Sequence, residues 1–321
     1  MWPPKPVRSV SDAWRIHRHV GPGVRGDPIY SGYQIIPHAW WENVCKRCRM
    51  KSIMNTTLVT DEMLETYRRD GVVKVPQIIT PDEASRFRKS ALDLLEAMPR
   101  NPDRPFNQKV NVWRDDPVLK TLTQHPNIAA VAEKLAETRL RIWHDHILAK
   151  MPALDVPTAF HQDLVKWPYD RGANALSAWI ALQDTPVEMG CMSFVAGSHR
   201  MLDVADMGTN DQDAWREIAP EIGWGPRVTL PLQAGDCTFH HGMTFHTAGP
   251  NQLEDWRVGF VIIFVDASAR YSGKKHVVTD SLQLAPDTIP PDDMFPPLAS
   301  FYEEPQRLRR GKGAGGGTTP P

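Results

Sequence analysis

The chain has 321 residues, room for one large domain or two small ones, and its 41% hydrophobic and 23% charged residues suit a globular protein with a real core. Thirty-seven basic residues nearly cancel 38 acidic ones, so no long-range field points to nucleic acid or an anionic membrane as partner. No apolar run approaches a membrane span and four cysteines make no disulfide framework, which leaves a reducing cytoplasm as the expected location.

Residues 1–55 read as an irregular N-terminal extension. Pro3, Pro4 and Pro6, scattered arginines and clustered aromatics show neither helical nor strand periodicity. Asp12, Asp27 and Glu42 count against an acid-free mitochondrial presequence, and an apolar signal core is lacking. Met50 or Met54 fits as a natural start, because regular structure is expected just after them. Cys45 and Cys48 form a lone C-x-x-C, and a zinc or redox role would need further ligands.

From Thr60 the pattern becomes regular. Thr60 is placed to cap a helix with Met63, Leu64 and Tyr67 on one face, ended by Gly71. Val72, Val73 and Val75 predict a short strand. Thr80-Pro81-Asp82-Glu83 supplies an N-cap, a proline at the first helical position and a glutamate at the third, a capping box. The helix it opens carries Phe87, Ala91, Leu94, Leu95 and Met98 on one stripe. A third helix is expected over 126–138, with Ile128, Val131 and Leu135 inward.

Residues 141–150, 176–184, 192–196, 227–232, 236–241 and 256–266 then read as strands, separated by turn signals such as Gly190, Gly197-Ser198 and Gly235-Asp236. Cys191 and Cys237 fall in these apolar runs as small buried hydrophobes. Helices first and strands afterwards predict a mainly β fold with flanking helices, a sandwich or jelly roll braced by an N-terminal helical layer. The domain is expected over 56–283. Residues 201–224, with Trp215 and Trp224, form a polar insertion suited to a lid or wall. Residues 284–321 read as a proline- and glycine-rich tail, disordered from Arg307 on.

Two segments carry chemistry. In Phe160-His161-Gln162-Asp163, a strand would put His161 and Asp163 on one face, where they can grip one ion. Further on, His246 precedes a turn at Gly249-Pro250-Asn251 and an apolar strand from Trp256. A hairpin folded about Asn251 and Gln252 would set His246 opposite Arg257. Two histidines and a carboxylate supply one face of an octahedron and leave three positions open, the geometry of non-haem iron(II) oxygenases. Arg257 could then take a carboxylate of a co-substrate through two parallel hydrogen bonds, or merely pair with Glu254 or Asp255. His240 and His241 alternate, so at most one faces the metal, with His241, opposite in parity to His246, expected as a supporting or core group. His199 is expected to bond backbone in its turn.

These residues carry a resemblance. His161-Gln162-Asp163, Trp179-Ile180-Ala181-Leu182, Gly190-Cys191-Met192, Gly197-Ser198-His199, Gly235-Asp236, His241, His246, Pro250-Asn251 and Arg257 occur in the order seen in the phytanoyl-CoA dioxygenase family, over roughly 60–270. The chain resembles that family, which implies a double-stranded β-helix (jelly roll) and an iron(II)-, 2-oxoglutarate- and O2-dependent dioxygenase. By the same resemblance His161, Asp163 and His246 bind iron and Arg257 holds the distal carboxylate of 2-oxoglutarate. It also implies that Gln162 and Trp179 line the co-substrate pocket, that Lys109 helps bind the co-substrate and that His144 and His146 form its wall. A solvated surface lysine is the competing reading of Lys109. Halogenases related to the family lack the carboxylate, so Asp163 implies hydroxylation or another oxidation of a small or lipid-like molecule, with release of succinate and CO2.

Two other classes use similar residues. A cupin-like isomerase or hydrolase shares the three ligands but has no need of Arg257. A catalytically silent metal-binding protein would show no 2-oxoglutarate decarboxylation. Eleven tryptophans suit an apolar pocket, and most would serve equally as core.

Overall fold

A computed structural model of the chain describes residues 58–97, 106–153, 156–170 and 172–302. The extension, Cys45, Cys48 and Met98 lie outside these residues. Helix α1, Asp61–Asp70, starts where Thr60 accepts the Met63 amide and stops at Gly71, whose φ of 75° suits glycine. Strand β1, Val72–Val75, follows, and helix α2, Pro81–Glu96, opens with the capping box of Thr80 and Glu83. After β2, Asn107–Val110, come helix α3, Pro117–Thr123, and helix α4, Pro126–Ala136. Neither β2 nor α3 is foreseen from the sequence, because four and seven residues are too few to display a period. Asp116, accepting from the Val118 and Leu119 amides, is the local cause of α3.

The remaining strands are β3 (Leu140–Lys150), β4 (Thr158–His161), β5 (Ala175–Ala181), β6 (Met192–Val195), β7 (Arg227–Leu230), β8 (Cys237–His241), β9 (His246–Ala248) and β10 (Arg257–Asp266). All pairings are antiparallel, in a six-stranded sheet ordered β1-β8-β5-β10-β3-β2 and a four-stranded sheet ordered β4-β9-β6-β7. The expected hairpin between His246 and Arg257 does not form. Strand β9 pairs with β4 and β6, whereas β10 crosses to the other sheet between β3 and β5. The turn at residues 249–255 is therefore a connection between sheets.

The six-stranded sheet is buried on both faces. One face packs Ile142, Ala178, Phe239 and Phe260 against Leu64, Phe87, Leu119 and Ile128 of the four helices. The other packs Trp179, Val261 and Ile263 against Met192, Phe194 and Ala248 of the four-stranded sheet. Strand β3 changes faces part-way. Its register with β10 skips Trp143, pairing His144 with Ile263 and Ile142 with Phe264. This bulge leaves Ile142 toward the helices while turning His144 and His146 toward the opposite sheet.

The expected boundary at residue 284 is not where packing ends. Phe295 and Leu298 are fully buried, the Ile142 amide donates to the Pro296 carbonyl (3.1 Å) and the Leu298 amide to the Leu140 carbonyl (2.9 Å). A strap docked through its backbone needs no hydrophobic period, so its composition reads as a tail. In the 201–224 insertion, Ala214–Ile218 forms a short helix, α5, and Trp215 packs edge-on to Phe160, while Trp224 is 93% exposed. A last short helix, α6, spans Ala299–Tyr302. No helix among the described residues is long and apolar enough to cross a membrane.

Candidate metal centre

His161 ends β4 and His246 begins β9, and the two are register partners with ring centroids 4.1 Å apart. Asp163 lies beyond the strand, with helical backbone angles, immediately before the 3-10 turn Leu164–Lys166. Its convergence with His161 therefore comes from the chain turning under the strand end, not from strand alternation. Asp163 Oδ1 is 3.6 Å from His161 Nε2 and 3.8 Å from His246 Nε2. One donor atom from each of the three lies within 4.8 Å of the others.

Local hydrogen bonds prepare all three for a cation. His161 Nδ1 meets the Ala159 carbonyl at 2.8 Å and His246 Nδ1 meets the Thr244 carbonyl at 3.0 Å. Each carbonyl holds the proton on Nδ1 and leaves the Nε2 lone pair facing the centre. Asp163 Oδ2 accepts from Ser177 Oγ at 3.0 Å and lies 3.4 Å from His240 Nε2, so Oδ1 is the oxygen left free. Burial keeps both imidazoles neutral, pushing His246 down to about 4. Burial alone would raise the Asp163 carboxyl, but His246, the His240 hydrogen bond and His161 outweigh it and hold the group ionised. The supporting histidine is His240 rather than His241. The latter accepts the Met243 amide at Nδ1 (3.1 Å) and faces His199.

The three residues open into a cavity of about 280 Å³ lined from both sheets, which also contains Arg257, Trp179, His144 and His146. Arg257 is 2% exposed, its guanidinium sits 5.3 Å from the Trp179 ring centre, and its Nε has no hydrogen-bond partner. No carboxylate among the described residues pairs with it. Asp255, the nearby competitor, instead pairs with Arg88 at 2.6 Å. Burial lowers Arg257 only to about 10, so it stays charged. Opposite it on β3, Lys150 is fully buried and donates to the Val156 carbonyl. Burial, then the charge of Arg257, pushes Lys150 down to about 6, leaving Arg257 as the cation at this end.

Two expected lining residues are elsewhere. Gln162 donates both hydrogens of its amide to the Met201 and Met243 carbonyls (2.9 and 2.7 Å) and is a strut behind the site. Lys109 opposes Ile147 on the helix side of the sheet, while its neighbours Gln108 and Val110 face the cavity. Alternation along β2 excludes Lys109 from the lining. Ser177 and His240, which contact Asp163 Oδ2, and Lys150, which is buried opposite Arg257, are neighbours of the site that the sequence did not single out for these positions. Only the position of His240 beside His241 hinted at one of them.

A His-Asp-His face with both imidazoles buried, and an unpaired guanidinium in the same cavity, fit a metal ion chelated by a dicarboxylate, and comparison with known proteins agrees. The phytanoyl-CoA dioxygenase (PhyH) family profile matches residues 67–259, a span that contains all four of these residues. The chain belongs to the phytanoyl-CoA dioxygenase family. A probable phytanoyl-CoA dioxygenase of Caenorhabditis elegans is 23% identical over 231 residues, 63% of this chain and 73% of that protein. The epimerase SnoN, solved with Fe3+, alpha ketoglutarate and nogalamycin RO, is 33% identical with a TM-score of 0.65, covering 74% of this chain and 98% of its own. The carbocyclase SnoK from nogalamycin biosynthesis is 31% identical with a TM-score of 0.67, covering 74% and 96%. This member of the phytanoyl-CoA dioxygenase family is thus a 2-oxoglutarate-dependent oxygenase using iron, 2-oxoglutarate and O2. The donor set fits that iron, with two neutral imidazoles and one carboxylate oxygen free to face it.

Proposed function

We propose that His161, Asp163 and His246 hold the iron, that Arg257 binds the distal carboxylate of 2-oxoglutarate, and that the enzyme oxidises a C–H bond of a small or lipid-like organic molecule, with hydroxylation as the expected outcome and succinate and CO2 released. The observation that carries this reading is the buried, unpaired Arg257 in the same cavity as the three donors. When bound, iron and 2-oxoglutarate supply the oxidising chemistry with O2.

The protein's own residues bind, orient and exclude water. The guanidinium fork of Arg257 matches a carboxylate with two hydrogen bonds and fixes the length of co-substrate that can still reach the metal. Trp179 covers that fork, and Gly259 leaves room for its indole, since a Cβ there would lie 2.1 Å from Trp179 Cζ2. Ser177 and His240 hold Asp163 Oδ2 so that the carboxylate offers one oxygen. Trp167, Val261 and Ile263 give the remaining wall an apolar surface that displaces water.

The printed names of the relatives widen the range of outcomes. SnoN is an epimerase and SnoK a carbocyclase of one biosynthesis, so proteins similar to this chain carry out reactions other than hydroxylation. We read the two packed sheets as the double-stranded β-helix of the family. The two buried free thiols, Cys191 and Cys237, support a reducing cytoplasm as the location. The test is anaerobic loading with iron(II), followed by measurement of succinate formation across a substrate panel. Replacement of His161, Asp163 or His246 by alanine is expected to abolish it, and turnover that persists in His246→Ala would move that ligand role to another residue.

A further inference from the structure

The cavity has a second polar region, to which the reading above gives no part in holding iron or the distal carboxylate of 2-oxoglutarate. His144 and His146 on β3 and His276 from the segment after β10 line it together, with His144 ring centroids 5.2 Å from His146 and 5.9 Å from His276. They do not form a second metal centre. Among the described residues only His161, Asp163 and His246 bring metal-ligating atoms close enough to hold an ion. Their hydrogen bonds instead fix which nitrogen of each ring carries its proton.

His144 Nδ1 lies 3.4 Å from the Asp145 carbonyl, which can only accept, so Nδ1 carries the proton. His144 Nε2 is then a bare lone pair, and it is buried without any partner. At His276 the assignment reverses. The Val278 amide donates to Nδ1 at 3.2 Å, so the proton sits on Nε2. The Gln108 side-chain amide likewise donates to His146 Nδ1 at 3.3 Å, leaving Nε2–H as a donor. Burial lowers all three rings, which supports the neutral form this pattern requires. Lys166, the other cation in the lining besides Arg257, has Asp163 and Asp206 as its charge partners. One acceptor beside two donors is the complement of a single hydroxyl group. A carboxylate has no proton for His144, and an ether or hydrocarbon leaves that lone pair unsatisfied.

We propose that this wall anchors a hydroxyl group of the substrate, an alcohol or phenol whose O–H donates to His144 Nε2 while its oxygen accepts from Nε2–H of His146 or His276. The substrate class is then hydroxylated organic molecules rather than plain hydrocarbon chains or carboxylates. The bulge at Trp143 builds this wall, because it turns His144 out of the helix-side core and into the cavity. The inference rests on the oxygenase reading above and deepens it.

The test uses the full chain loaded anaerobically with iron(II) and 2-oxoglutarate, and matched probes: 2-naphthol, its methyl ether and 2-naphthoate, with cyclohexanol, methoxycyclohexane and cyclohexanecarboxylate as the aliphatic set. Dissociation constants are read by calorimetry and by perturbation of the metal-to-co-substrate absorption band. At least one hydroxyl probe is expected to bind roughly tenfold or more tightly than its ether and its acid, because a site built around a hydroxyl rejects analogues lacking it. His144→Phe, which keeps a ring but removes the lone pair, should erase that preference, and His276→Phe, on a half-buried loop position, should weaken it. Nitrogen-15 spectra should show the His144 ring protonated at Nδ1. Ether or acid binding equal to the hydroxyl, no hydroxyl probe binding at millimolar concentration, a preference surviving in both variants, or His144 protonated at Nε2 would each overturn the proposal. Failure of iron or 2-oxoglutarate to bind would instead defeat the oxygenase reading, so the two failures are distinguishable.

Discussion

His240 holds one oxygen of Asp163 in place from a position where its own Nδ1 is buried without a partner. Such supporting contacts orient a metal ligand, and their loss typically costs about 10–100-fold in metal affinity. His240→Ala is expected to weaken iron(II) by that factor in an anaerobic titration, whereas His241→Ala should leave the constant unchanged. Equal effects of the two would show that neither ring orients Asp163. The distinction was hidden in the sequence by parity. Along one imagined strand His241, five residues before His246, falls on the opposite face and reads as a group behind the metal, but β8 ends at His241 and β9 begins a new strand in the other sheet, so no parity runs between them. Residue types and order were enough to single out His161, Asp163, His246 and Arg257, and the fold brings the four into one cavity. Gln162 and Lys109 were misplaced because resemblance carries a position without the direction of its side chain, and Gln162 spends its amide on backbone while Lys109 faces the helices.

At the scale of elements, capping and alternation made α1, α2, α4 and most strands legible, since each local signal agrees with the packing around it. The crossing of β10 to the other sheet, the bulge at Trp143 and the docked strap near Phe295 left no periodic trace, because each depends on partners distant in the chain. Two substitutions test how the elements fit. Gly259→Ala pushes a methyl into the Trp179 indole, and overpacking of this kind costs about 1–3 kcal/mol. It should lower the thermal midpoint and weaken 2-oxoglutarate together, and an unaltered midpoint would mean that the indole has room to move. On β3, Asp145 accepts from Thr123 Oγ1 (2.6 Å) and the Trp113 amide (3.0 Å), joining that strand to α3. Burial pushes its carboxyl from 3.8 up to about 7. The folded state therefore holds the extra proton between these values. The stability this group contributes is full below pH about 4 and is lost as pH rises to about 7, a span worth at most roughly 4 kcal/mol. Asp145→Asn should flatten that slope relative to wild type in unfolding curves taken from pH 4 to 8, and parallel curves would show that Asp145 ionises normally.

At the scale of the whole molecule, the site exists only because two sheets face each other. The four-stranded sheet supplies His161 and His246, the six-stranded sheet supplies Arg257, Ser177 and His240, and the loop after β4 adds Asp163. The groups proposed to bind iron and co-substrate are thus ones that no single hairpin brings together, and each site is expected to weaken without the other. The decisive measurement is the 2-oxoglutarate dissociation constant of the iron(II)-loaded protein, determined anaerobically for wild type, Arg257→Ala and Arg257→Lys. Truncating a buried, hydrogen-bonded cation costs about 2–5 kcal/mol, roughly 30-fold to several thousand-fold in affinity. Arg257→Ala is expected to show that loss with iron binding nearly intact, and Arg257→Lys to recover part of it, since a point charge replaces the fork without its geometry. An unchanged constant in Arg257→Ala, with iron still bound, would contradict the assignment of this cavity end to 2-oxoglutarate.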